Sequence, residues 1–141
     1  MKLAIVSGGF DPVHVGHLEL FEKAKDMADD LFVIVNDDSF LERKKGKPFM
    51  TLEDRIKIVE SFKPVTLAVE SVDEDDSVCK TLEWIRALYK HKYKHMMFCN
   101  GGDRKNKKVT PEHKRCEQIG IKLVYGLGEK VQSSSWLLKK S

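Results

Sequence analysis

Short apolar runs alternate along the chain with stretches in which apolar residues recur every three or four positions. Residues 2–7 (KLAIVS) form the first run; it stops at Gly8-Gly9 and predicts a buried strand. LFVIV (31–35) is an uninterrupted β-branched run, the pattern of a strand covered on both faces. VTLAV (65–69), HMMFC (95–99) and IKLVY (121–125) predict three more strands. Helical spacing fills the intervals. From His17 to Ala28 it is carried by Leu18, Phe21, Ala24 and Ala28. After Thr51, whose spacing to Asp54 resembles a capping box, it is carried by Ile56, Val59 and Phe62, up to Pro64. Over 77–90 the expected inward residues are Val78, Leu82, Ile85 and Leu88, with Asp75 and Asp76 at the positive end of the helix dipole. Thr110-Pro111 reads as an N-cap with proline at the first helical position, and Gly120 as the closing residue. SSSWLLKK reads as a helix start, and SFLERKKGKP (39–48) as a polar, lysine-rich loop.

Five strands alternating with helices imply an α/β fold: a Rossmann-like, doubly wound, five-stranded parallel sheet flanked by helices, as a single domain over 1–141. Such sheets bind ligands beyond the carboxyl ends of their strands, near the point where strand order reverses. The informative loops are therefore 8–17, 36–48, 100–109 and 126–135.

Composition narrows the classes. With 41% hydrophobic and 33% charged residues, the 141-residue chain has enough apolar content for a core and is not a disordered chain. No apolar run approaches membrane-spanning length, and the apolar stretch before Gly8 is too short for a secretory leader. Cys79, Cys99 and Cys116 fit neither a disulfide framework nor a zinc knuckle, so a reducing, cytoplasmic setting is expected. The net charge of +3 does not choose between small anions and nucleic acid. It is unevenly placed: Arg43–Lys47 and Arg104–Lys108 both follow strands, at the sheet edge where an anionic ligand would sit.

The segment Gly8-Gly9-Phe10-Asp11-Pro12-Val13-His14-Val15-Gly16-His17 carries the chemistry. Two glycines let the backbone turn and approach a ligand closely. A helix starting near His17 offers amides to an anion. His14 and His17, three residues apart, can face one side and donate to phosphate oxygens, while Gly16 leaves room for a flat base. Zinc would need a third ligand at helical spacing, and none is present. Gly8, Gly9 and Gly16 also lack the spacing of a dinucleotide fingerprint.

This block resembles the His-x-Gly-His signature of the nucleotidylyltransferase superfamily. The nearest resemblance is to the cytidylyltransferase-like members, of the glycerol-3-phosphate cytidylyltransferase and heptose-phosphate adenylyltransferase types. Class I aminoacyl-tRNA synthetases share the signature, but this length leaves no room for an anticodon-binding domain and no KMSKS element is present.

The resemblance implies transfer of CMP or AMP from CTP or ATP to a small phosphorylated acceptor, with release of pyrophosphate. Mg²⁺ would be carried by the nucleotide rather than by a protein site. It implies catalytic roles for His14, His17 and Lys44. Nucleotide contacts would come from Gly8, Gly9, Phe10, Asp11, His14, Gly16, His17, Gly102, Asp103, Arg104, Ser133, Ser134 and Ser135. Acceptor phosphate would be held by Lys44, Lys45, Lys47 and Arg55, although Arg55 can equally be read as a surface ion pair with Glu53 or Asp54. A slight lean to CTP rests on Lys44 and Arg55 falling in step with the glycerol-3-phosphate cytidylyltransferase pattern. A homodimer is also implied.

Gly9 stands where the family usually carries Ser, Thr or Cys, Gly128 stands where many cytidylyltransferases carry Arg, and Gln132 replaces an apolar residue. These departures motivate an alternative, a non-catalytic nucleotide-binding sensor of the same fold. A nucleic-acid surface on Lys90–Lys94 and Arg104–Lys108 is disfavoured. Aromatics interleave only at Tyr89 and Tyr93, and cations at a helix end complement its dipole. Neither nucleic acid nor membrane is expected as a partner.

Overall fold

The computed structural model describes residues 1–100 and 110–127. The strands are β1 (Lys2–Gly8), β2 (Asp30–Val35), β3 (Leu67–Glu70), β4 (His95–Cys99) and β5 (Lys122–Val124). The helices among the described residues are α1 (Val15–Asp26), α2 (Asp38–Lys45), α3 (Leu52–Glu60), α4 (Cys79–Tyr89) and α5 (Pro111–Ile119). All strand pairs are parallel, in the order β3-β2-β1-β4-β5. Ala4 of the central strand is registered with Leu31 on one side and Met97 on the other. Strand order reverses at β1, so the crevice beyond Gly8 lies at the topological switch point.

The two-residue period of the strands divides the core. Leu3, Ile5, Phe32 and Ile34 pack against Val78, which caps α4, Leu82 and Ile85 within it, and Cys116 of α5. Ala4, Val6, Leu31, Val33 and Val35 pack against Phe21 and Ala24 of α1 and Val59 of α3. Both faces are therefore covered, which is why these strands read as unbroken apolar runs. No helix among the described residues is long and apolar enough to cross a membrane.

Four local expectations are corrected. Residues 39–48 are not a loop throughout: α2 forms there, capped by the Asp37 carboxylate accepting from Phe40 N–H at 2.8 Å and ended at Gly46, which has φ +93°. Only Leu41 of this eight-residue helix is buried, so it carries no readable periodicity. Second, α1 begins at Val15, two residues ahead of His17, because His14 is its N-cap. Third, Leu88 is 57% exposed. Tyr89 turns in instead, its ring meeting Phe32 edge-on at 4.9 Å. Fourth, the acidic residue at the start of α4 is Asp73, which accepts from Lys80 N–H at 2.8 Å and Thr81 N–H at 2.9 Å. Asp75 binds Ser77 and Asp76 pairs with Arg43.

Candidate active site

The glycine turn beyond β1 is shaped by Phe10. Its backbone sits in the left-handed region at φ +53°, and its ring folds under Gly8, where a Cβ would meet Phe10 Cζ at 3.0 Å. Phe10 is buried and touches His17 edge-on at 4.9 Å and Phe21 at 5.5 Å. The Phe10 ring thus supports the turn from beneath. Gly9 is covered by α2: a Cβ there would meet Leu41 Cδ2 at 3.0 Å. The bond between Asp11 and Pro12 is cis.

The two histidines are set by the first turn of α1. His14 Nδ1 accepts from Gly16 N–H at 3.1 Å, and His17 Nδ1 accepts from His14 N–H at 3.1 Å. An imidazole nitrogen that accepts carries no proton, so the proton of each neutral ring lies on Nε2. The rings stack at 3.9 Å with 22° between their planes. Both stacked rings thus carry their Nε2–H at a helix N-terminus beside the switch point, an arrangement suited to phosphate oxygens.

Asp11 is turned inward. Its carboxylate accepts from Phe49 N–H at 2.7 Å and Met50 N–H at 2.6 Å and pairs with Lys45 at 2.7 Å. Burial pushes its pKa up, but the Lys45 ammonium and these two amides outweigh burial and hold it below the ordinary aspartate value. Asp11 therefore braces the segment after α2 rather than presenting free oxygens to a nucleotide.

Arg55 departs furthest from expectation. It is fully buried, not a surface ion pair with Glu53 or Asp54. Its guanidinium donates to Met50 O at 3.1 Å, Gly9 O at 2.8 Å and Asn36 O at 2.6 Å, and to the Asp38 carboxylate at 2.7 Å. The fork ties together the glycine turn, the end of β2 and the starts of α2 and α3, with four of its five N–H donors spent inside the fold.

The lysines separate. Lys45 reaches the glycine turn, donating also to Asp11 O at 2.8 Å. Lys44, the one favoured by spacing, is exposed, with its ammonium 5.7 Å from the centroid of the Phe40 ring. Lys47 is exposed. Arg43 is drawn to the acidic turn before α4, bonding Asp76 and Asp75 O at 3.2 Å each. Gly102, Asp103, Arg104, Ser133, Ser134 and Ser135 lie outside the described residues.

Sequence reasoning missed Asn36, Asp38 and Leu41, which shape the turn. The readable signal was Asn36-Asp37-Asp38 directly after β2, an N-cap cluster ahead of a basic run and Gly46. The cysteines play no part here: burial pushes the Cys99 thiol up to about 11 and the Cys116 thiol to about 12.

Residues 5–104, from within β1 past the end of β4, match the family model described as cytidylyltransferase-like. The chain belongs to that family. The match takes in the glycine turn, both histidines and α2, and it leaves Ser133–Ser135 outside. Among relatives, the bifunctional protein HldE of Helicobacter hepaticus is 34% identical over 129 residues, covering 89% of this chain and 24% of that protein. The FAD synthase of Aciduliprofundum boonei is 40% identical over 86 residues, covering 61% of this chain and 56% of the enzyme. The chain thus spans only part of the length of each. A solved structure, the lipopolysaccharide core biosynthesis protein of Thermoplasma volcanium, shares the fold with a TM-score of 0.68 at 19% identity, over 94% of this chain and 99% of that one.

Proposed function

We propose that the chain is a nucleotidyltransferase that moves a nucleoside monophosphate from an NTP to a small phosphorylated acceptor. An acceptor phosphate oxygen attacks the α-phosphorus in line. The new P–O bond forms as the bond from the α-phosphorus to the bridging oxygen breaks, and pyrophosphate leaves with that electron pair. The acceptor is already ionised at neutral pH, so positioning and charge stabilisation are the main demands. The observation that carries the reading is the histidine pair, whose Nδ1 atoms are committed to the main chain of α1 and whose Nε2–H edges are thereby the donors. We assign His17 and His14 to the oxygens of the α- and β-phosphates, and the lysines of residues 44–47 to the acceptor and α-phosphate.

Mg²⁺ belongs to this chemistry as the counter-ion of the triphosphate, entering with the substrate. Among the described residues no three His, Cys, Asp or Glu side chains converge on a cation site.

The lean to CTP loses one of its two supports, since Arg55 is engaged inside the fold. The FAD synthase relative, by contrast, makes a product with an adenylate half. We therefore place ATP ahead of CTP, with glycerol 3-phosphate and CTP as one pair to be tested. The test is pyrophosphate release with each of four NTPs against a panel of sugar, polyol and flavin phosphates. Turnover with one pair is expected. Nucleotide binding without pyrophosphate from any pair would replace this reading with the sensor.

A further inference from the structure

The underside of α2 presents two residues to the glycine turn. Leu41 seats on Gly9, and Lys45, one helical turn later, reaches Asp11. The helix then stops at Gly46, and the chain returns to Asp11 through the amides of Phe49 and Met50. Asp11 therefore holds three donors of two kinds. Two are main-chain amides on a short loop. The third is an ammonium on a flexible stem that is 31% exposed.

These donors differ in how readily they leave. Losing an amide would strip the loop of its anchor. Losing the ammonium leaves a carboxylate that still accepts at both oxygens, one bond to each amide, and gives up only the Lys45 bond to the Asp11 carbonyl. The Lys45 ammonium is thus the exchangeable partner, and it hangs at the turn where the histidine pair would receive phosphate.

We propose that Asp11 is a positioning residue that parks Lys45 at the glycine turn and yields it to a phosphate of the substrate, while keeping hold of Phe49 and Met50. The proposal rests on the nucleotidyl-transfer reading for the identity of the incoming group. It makes Lys45, rather than Lys44, the lysine delivered to that group, and Leu41 on Gly9 the seat that keeps α2 in place during the exchange.

The probe is inorganic pyrophosphate with the whole chain. The expected result is a change in the ¹⁵N–¹H signal of the Lys45 ammonium at saturation, with hydrogen exchange at Phe49 and Met50 unchanged. Lys45→Met should weaken pyrophosphate binding at least about tenfold, the scale of one charge-assisted phosphate contact, and leave those amides protected. Asp11→Asn should bind pyrophosphate as tightly as the wild type or more so, with faster exchange at Phe49 and Met50. A merely structural ion pair would make the two variants alike, both weaker and both looser, and that result overturns the proposal. So does an unmoved Lys45 signal, or a wild type that does not bind pyrophosphate. If Asp11→Asn does not fold, Lys45→Met and the ammonium signal still decide. An exchange that occurs in a chain releasing no pyrophosphate from any NTP and acceptor pair upholds the parking of Lys45 and removes the transfer reading alone.

Discussion

Arg55→Met separates what this arginine does in the fold from what its sequence context suggests. Methionine keeps much of the apolar stem and removes the fork. Three carbonyls, of Gly9, Asn36 and Met50, lose their donor at once, and the Asp38 carboxylate loses its partner. Breaking a buried charged network by removing one member costs about 3–5 kcal/mol. The Asp38 contribution is discounted because its side chain is 43% exposed. The carbonyls carry most of the loss, at about 1–3 kcal/mol for each one left dry, lowered where water enters. A net cost of about 3–4 kcal/mol follows, a large part of the about 5–15 kcal/mol that holds a domain together. Urea unfolding monitored by circular dichroism reads it as a lowered midpoint. Arg55→Lys should recover only part, since one ammonium does not reproduce the planar fork. A stable Arg55→Met protein, within about 1 kcal/mol of wild type and altered only in its KM for the phosphorylated acceptor, would refute this reasoning. It would return Arg55 to a role at the substrate.

Two further outcomes test the site directly. His17→Ala should lower kcat at least about a hundredfold, the scale of losing one preorganised donor, with an unchanged circular dichroism spectrum; wild-type turnover would remove His17 from the chemistry. Asp11 has its pKa lowered in the folded chain, so its stabilisation is complete above the unfolded value of about 3.8 and is lost as pH falls through the folded value. The difference in unfolding free energy between wild type and Asp11→Asn should therefore be full near neutrality and shrink below about pH 4, measured by urea titration across pH 3–7. A difference that is constant across that range would mean that the carboxylate charge at Asp11 contributes nothing.

The sheet was legible because its strands are covered on both faces and so appear as unbroken apolar runs: LFVIV and HMMFC lie within or on the observed β2 and β4. The histidine turn was legible because glycines, histidines and a strand-to-helix change coincide there. What escaped was set by contacts remote in sequence. Arg55 meets the carbonyl of Gly9, 46 residues away, and Asn36, 19 residues away, so no local pattern marks it as interior. Asp11 likewise finds its amide donors 38 and 39 residues on. The helix α2 was missed for a different reason, having one buried residue where periodicity needs several. Lys44 and Lys45 are neighbours in sequence, and only the helical rotation of about 100° per residue decides which one reaches the turn.

The histidine tautomers carry a consequence for how this site tolerates change. Each ring's proton is assigned by an amide of the turn it stands on: Gly16 N–H fixes His14, and His14 N–H fixes His17. The chemistry of the imidazoles is thus written into the main chain. Anything that unwinds Val15 and Gly16, or replaces an N–H there, scrambles the donors without altering either histidine. The heredity of the site runs through its backbone.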